Sequence, residues 1–278
     1  MSLNQQATHL RHREGAQTGT KYIAIASGKG GVGKTILSLS IGRCLSDSGK
    51  KVLIVDADFG LSNVHLMLGI TPQKNLAHFF YGDASFEEVI VRIGDNFSFI
   101  SSGNGIYELA KLPKEQVMNL VRRLQELAED NYDYVVFDTP PGIHDDTIAV
   151  VSAADFPVVI TTPEPTAVAD AYALIKIINR ENETEDFYLV VNKVESDKEG
   201  NKVYESIRLL AERYTTAKLR HVGNIKYRKN LIRKIIEQNP FEKGFMEDVY
   251  NILSKMSPDV SPRRRSFWDS VVARLLGR

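Results

Sequence analysis

The sequence predicts an α/β fold in which a mostly parallel central sheet carries helices on both faces. Three observations lead there. Short apolar runs of strand length alternate with stretches whose apolar residues recur at helical spacing. Most of the apolar runs are continuous, as expected of strands covered on both faces. The chemically suggestive residues fall at the C-terminal ends of those runs, where parallel sheets bind ligands.

Each element follows in order. Residues 1–20 are polar and aperiodic and read as a flexible N-terminal arm. "YIAIAS" (22–27) is the first strand and runs into a glycine-rich loop, with helical spacing from Thr35 to Leu45 behind it. "KVLIVDAD" (51–58) is a second strand ending in carboxylates, and "FSFIS" (97–101) a third. "KEQVMNLVRRLQELAED" (114–130) has the pattern of an amphipathic helix. "YDYVVFDTPPG" (132–142), "DFPVVITTPEP" (155–165) and "FYLVVNKV" (187–194) continue the strands, with helices near 166–180 and 200–214. Residues 226–256 read as two helices broken by "NPF" at 239–241. The organisation is therefore an arm (1–20), one domain (21–256), a Ser-Pro linker (257–262) and a C-terminal tail (263–278). A single α/β domain of roughly 250 residues is ordinary.

Composition narrows the function classes. In 278 residues, 35 Lys and Arg balance 35 Asp and Glu, which argues against a chain built globally for nucleic acid. The single cysteine, Cys44, excludes an intrachain disulfide and cysteine-ligated zinc or iron–sulfur sites. Within its helix it reads as a small buried apolar residue. No apolar run approaches the length of a membrane span, and the N-terminal stretch lacks signal-peptide character, so the expected location is the cytoplasm.

The chemistry begins at "SGKGGVGKT" (27–35), whose frame Gly28-x-x-x-x-Gly33-Lys34-Thr35 is a phosphate-binding loop between a strand and a helix. A P-loop NTPase fold is expected. Backbone N–H groups of residues 30–35 would wrap the β-phosphate at the helix N-terminus. The nucleotide set is Gly28, Lys29, Gly30, Gly31, Val32, Gly33, Lys34, Thr35 and Ile36. Lys34 is expected on the β- and γ-phosphates and the Thr35 hydroxyl on Mg²⁺. Asp138, closing a strand, is the candidate for a second Mg²⁺ contact through water; its alternative role is a turn cap. Asp56 and Asp58, two apart at one strand end, point the same way. We assign Asp56 to the metal shell and Asp58 to the attacking water, against the alternative that one is merely solvated. Asn192 and Lys193 are candidates to read the base. Because Val194-Glu195 follows them, the guanine pattern N-K-x-D is absent and ATP is the expected nucleotide.

Lys29-Gly30-Gly31-Val32-Gly33-Lys34-Thr35, Asp56-Ala57-Asp58-Phe59-Gly60-Leu61-Ser62-Asn63 and Asp138-Thr139-Pro140-Pro141-Gly142 resemble the deviant-Walker-A ATPases of the MinD/ParA class. The resemblance covers about residues 21–256. It implies an ATP-dependent homodimer with two sandwiched nucleotides, in which Lys29 crosses to the partner's ATP. The catalytic set it implies is Lys29, Lys34, Asp56 and Asp58.

Two flanking segments narrow the resemblance. In the tail, Phe267, Trp268, Val271, Val272, Leu275 and Leu276 share one helical face beside Arg264, Arg265, Arg274 and Arg278. A short basic amphipathic helix suits an anionic membrane surface; the alternative is docking on its own domain. At the front, "QQATHLR" (5–11) resembles the D-Q-A-x-x-L-R arm of FlhG/FleN flagellar-number regulators. Gln6, Ala7, Leu10 and Arg11 match, while Gln5 replaces the acid. "DADFGLSNVHLMLG" (56–69) and "SSGNGIYELAKL" (101–112) resemble the same regulators, with His65 standing where they have an acid. The implied partners are an FlhF-like GTPase reached through the arm, flagellar regulators or switch proteins, and the cytoplasmic face of the inner membrane. The rivals are a MinD-type division-site regulator and a ParA-type DNA-segregation ATPase. For the latter, Lys226, Arg228, Lys229, Arg233 and Lys234 would form the basic patch. Nucleic acid is not the expected partner.

Overall fold

The computed structural model describes residues 19–57, 64–101, 122, 125–182, 184–256, 267, 268, 271 and 274. Eight strands form one sheet: β1 (Lys21–Ala26), β2 (Val52–Asp56), β3 (Ile90–Gly94), β4 (Phe97–Ser101), β5 (Tyr134–Asp138), β6 (Phe156–Thr161), β7 (Asp186–Val194) and β8 (Lys218–Lys226). Their order is β3-β4-β2-β5-β1-β6-β7-β8. Every neighbouring pair is parallel except β3 and β4. The helices are α1 (Lys34–Asp47), α2 (Val64–Leu68), α3 (Leu76–Tyr81), α4 (Phe86–Val89), α5 (Asp145–Ala153), α6 (Pro165–Asn182), α7 (Asp197–Tyr214), α8 (Lys229–Ile236) and α9 (Lys243–Met256). Within the expected helix at 114–130, residues 122 and 125–130 are described and helical.

The continuous apolar runs work as expected because successive side chains enter opposite layers. Tyr22, Ala24 and Ala26 of β1 join Val135 and Phe137 of β5 on one face. Ile23 and Ile25 join Val136 on the other, where Leu37, Leu39 and Ile41 of α1 cover them. The two layers cover the central strands on both faces, and the C-terminal ends of those strands form one platform.

Two strands go beyond the sequence reading. β3 reaches β4 through an antiparallel turn, and its partial exposure breaks the apolar run. β8 lies at the sheet edge and alternates exposed Lys218 and Arg220 with partly buried Leu219 and His221. Charged edge strands are a common guard against pairing with other chains, and such a pattern lacks the signature of a buried strand.

In the tail, the alternative of docking on its own domain is the arrangement seen. The lipid-facing reading leaves its apolar face free, but Phe267, Trp268 and Val271 are only 5–9% exposed and belong to the core layer on the Tyr22 side of the sheet. Phe267 stacks on Tyr22 with ring centroids 4.2 Å apart and on Phe137 at 5.1 Å. Trp268 Nε1 donates to the Tyr22 hydroxyl at 3.1 Å, and Arg274 pairs with Glu181 of α6 at 2.5 Å. The physical reason is that an aromatic face buried in its own domain gains the same release from water as one buried in lipid. Val272, Leu275 and Leu276 lie outside the described residues, as does the linker.

Candidate nucleotide site

The glycine-rich loop joins β1 to α1 at the centre of the sheet. Gly33 caps α1 at φ 98°, a left-handed geometry that glycine adopts without a Cβ penalty. Gly28 is fixed by space instead: a Cβ there would collide with the backbone of Asp170 in α6. The loop is thus pressed against α6 on one side while α1 directs its N-terminus, with its partial positive charge, toward the phosphate position.

The inner half of the loop meets the carboxylates. Lys34 is 8% exposed, and its Nζ lies 3.9 Å from Asp138 Oδ1. Ser38 donates to the same oxygen at 3.2 Å, and the Thr35 hydroxyl also bonds Asp138. Asp138 closes β5 directly beside Asp56 of β2 in the parallel register, and both are buried. Burial pushes the Asp138 carboxyl up to about 6, with the Asp56 charge adding to it; Lys34, Thr35 and Ser38 pull the other way. Adjacent buried carboxylates beside a hydroxyl form a hard oxygen donor set that suits Mg²⁺, an ion usually held by one or two carboxylates plus phosphate and water. Among the described residues no group of three or more His, Cys, Asp or Glu could hold a metal alone. Asp58 lies outside the described residues.

The outer half is arranged differently. Lys29 is 36% exposed, and its Nζ lies 2.5 Å from Glu164 Oε1 and 2.9 Å from Thr166 Oγ1. The hydrogen bond and charge of Lys29 hold the Glu164 carboxyl below its usual range. Lys29 therefore rests on its own chain, at the start of α6.

Asn192 and Lys193 also meet the loop. Asn192 Nδ2 donates to the Val32 carbonyl at 2.8 Å, and Lys193 Nζ donates to the Gly31 carbonyl at 2.7 Å. The Asn192 side-chain oxygen accepts from the Lys193 N–H at 2.8 Å.

Beside the loop opens a cleft of about 460 Å³, whose far wall includes Tyr227, Arg228, Leu231, Ile232 and Ile235. The sequence reading placed these residues in the helical region 226–256 and assigned none of them to the site. Arg228 is fixed by Asp248 at 2.7 Å and Glu242 at 3.6 Å. Arg233 and Lys234 pair with Glu237. Much of the basic cluster is thus matched by acids. The arm residues Gln6, Ala7, Leu10 and Arg11 lie outside the described residues.

Comparison with known proteins agrees with this geometry. The AAA domain family matches residues 20–191. The chain is 31% identical to the antiactivator FleN of Pseudomonas aeruginosa over 83% of this chain and 82% of that protein. It is 34% identical to the flagellum site-determining protein YlxH of Helicobacter pylori over 84% of this chain and 78% of that protein. Its fold superposes on the septum site-determining protein MinD of Pyrococcus horikoshii, solved with Mg-ADP, with a TM-score of 0.67 at 18% identity; the match covers 86% of this chain and 96% of that one. A strand-bound phosphate loop, a buried lysine, paired carboxylates and these relatives agree: the chain belongs to the AAA domain family and, within it, to the MinD/ParA class of P-loop ATPases alongside FleN and YlxH.

Proposed function

We propose that this ATPase is a dimerisation switch that regulates flagellar number and placement. The observation that carries the switch is the position of Lys29. It is a loop lysine held at the surface by Glu164, while Lys34 alone occupies the buried position beside Asp138. Lys29 is therefore available to a second copy. Two chains would sandwich two ATP molecules, each Lys29 exchanging Glu164 for the partner's phosphates, much as an arginine finger acts in trans. The flagellar role is supported by likeness to FleN and YlxH.

Hydrolysis needs positioning and charge neutralisation more than covalent chemistry. Backbone N–H groups of the loop hold the phosphates, Lys34 neutralises the β- and γ-oxygens, and Asp58 orients the attacking water. Thr35, Asp56 and Asp138 would hold Mg²⁺, which when bound supplies further charge neutralisation on those oxygens.

The tail reaches the membrane only by leaving its dock. Fully burying each large apolar side chain contributes roughly 1.5–3 kcal/mol, so release of Phe267, Trp268 and Val271 is costly in a lone chain. Phe267 stacks on Phe137, the neighbour of Asp138, which connects the dock to the nucleotide site through β5. In the ATP-bound dimer two released tails would bind lipid together, since one short helix anchors weakly. On this reading the dimer would sit at the cytoplasmic face of the inner membrane and the monomer in the cytoplasm. The N-terminal arm would engage an FlhF-like GTPase, and flagellar regulators or switch proteins would read the dimer. A MinD-type role at the division site shares the same switch, and a ParA-type role on DNA is less favoured because acids match much of the basic cluster.

Sedimentation of the full chain with MgADP or MgATP, with and without anionic liposomes, tests the proposal. The expected result is a monomer with ADP and a lipid-bound dimer with ATP. A monomer under every condition would contradict the switch, and a dimer that ignores lipid would remove the membrane step. Salt-sensitive binding to DNA would move the ParA-type reading forward.

A further inference from the structure

Helices commonly end on a left-handed residue, and glycine is the usual choice because it has no Cβ to clash. α8 ends in such a turn, with the Gln238 N–H on the Ile235 carbonyl at 3.0 Å and the Asn239 N–H on the Lys234 carbonyl at 3.0 Å. The left-handed residue in this turn is Gln238, at φ 56°. Among the described residues, only Lys193 beside the phosphate loop also has a positive φ without being glycine. A side chain kept where glycine would sit without strain points to a task for that side chain.

The Gln238 side chain lies over the end of a second helix. α2 also closes on a left-handed residue, Gly69 at φ 65°. A Cβ on Gly69 would collide with Gln238 Oε1 and Cδ and press on its Cβ. The two helix ends interlock. One keeps a glycine where a side chain has no room, and the other keeps a side chain where glycine would be easier. α8 is itself held at both ends. Arg228 pairs with Asp248 before it, while after it Pro240 is buried and Phe241 lies under the Arg43 guanidinium of α1 at 5.6 Å.

At its other end α2 meets the carboxylates of the nucleotide site. Val64 is buried, and its N–H points to Asp56 Oδ2 at 3.5 Å. α2 has only five residues, so a contact that holds Gly69 also holds Val64. Met67 of α2 and Leu231, Ile232 and Ile235 of α8 line the same cleft beside the phosphate loop. We infer that Gln238 is a positioning residue for the metal site: seated on Gly69, it braces α2 against α8 and so fixes the Asp56 carboxylate that Mg²⁺ would use. This rests on the assignment of Asp56 to the metal shell.

The test is calorimetric titration of the full chain with ADP, once with Mg²⁺ and once with EDTA. The ratio of the two affinities is the gain due to metal, and it reads binding without turnover. Wild type should show a gain, and Asp56→Asn should lose most of it. No gain in wild type, or a full gain in Asp56→Asn, would remove the metal assignment and this inference together. Gln238→Gly deletes the side chain and relieves the left-handed strain, so its thermal melt should not fall. Its gain should shrink by about threefold to tenfold, at or below the low end for residues that orient a metal ligand indirectly. Its affinity in EDTA should stay at the wild-type value. Gln238→Asn, which tolerates a left-handed backbone but is too short to cover Gly69, should behave alike. Gln238→Glu, of the same shape, should recover most of the gain. Gly69→Ala should show a similar loss, and adding Gln238→Gly to it should cost little more, because the contact is already broken. A wild-type gain in both Gln238→Gly and Gln238→Asn would overturn the inference while the metal assignment stands. Equal losses in Mg²⁺ and in EDTA would overturn it as well, since they would mark a general structural role.

Discussion

The two lysines of the phosphate loop have opposite surroundings. Lys34 is 8% exposed and faces a buried carboxylate, whereas Lys29 is 36% exposed and pairs with Glu164, itself 57% exposed. A buried pair cannot lose one partner without stranding the other charge, and is committed. An exposed pair contributes little and can be exchanged. The inner half of the loop is therefore built to hold a ligand, and the outer half to change partners.

Loss of Lys34 should have the largest effect. Lys34→Ala strands Asp138 and removes charge from the phosphate site, so ATP turnover should fall by about two to three orders of magnitude in a steady-state assay. A modest loss would mean that the inner half is not the committed one. Lys29→Ala should leave ATP binding to the monomer largely intact and remove ATP-dependent dimerisation, measured by sedimentation velocity; strong loss of monomer binding would erase the distinction between the halves. The docked tail extends the comparison to a buried element that must nevertheless move. Trp268→Ala should destabilise the chain by about 3–5 kcal/mol in chemical denaturation. It should also alter liposome pelleting without ATP, since both dock and lipid use this face. The smallest effect belongs to Glu164→Gln, which weakens the hold on Lys29 and should shift dimerisation to slightly lower protein concentration. The pH dependence has the same origin. Because Lys29 holds the Glu164 carboxyl below its usual range, the pair's contribution is fully present above the ordinary carboxylate pKa and disappears as pH falls through the lowered value. Well above pH 6, where Asp138 is ionised as well, the pair should be insensitive to pH, and dimerisation titrated between pH 7 and 8 should be flat.

Local pattern made the nucleotide platform legible. The loop spacing, the aspartates closing β2 and β5 and the apolar runs of the central strands are all read within a few residues. Long-range partnership was not. Lys29 meets Glu164 across 135 positions and Asn192 meets Val32 across 160, separations that neither periodicity nor spacing encodes. β3 and β8 escaped because edge strands are only half covered and carry charge. The tail face of Phe267, Trp268 and Val271 was recognised as apolar, but its destination was open, since core and lipid reward the same pattern. The cleft wall at Tyr227 and Arg228 was missed because its approach to the loop is a long-range contact that carries no local signal.

The most direct test of the exchanged lysine is to mix two full-length chains, one carrying Lys29→Ala and the other Asp58→Ala, each inactive alone. In a mixed dimer, the Lys29→Ala chain keeps its own Asp58 and receives Lys29 from its partner, so one complete site forms. ATP hydrolysis should reappear on mixing. If Lys29 serves the nucleotide of its own chain, neither site is complete, and a mixture as inactive as its separate components would contradict the account.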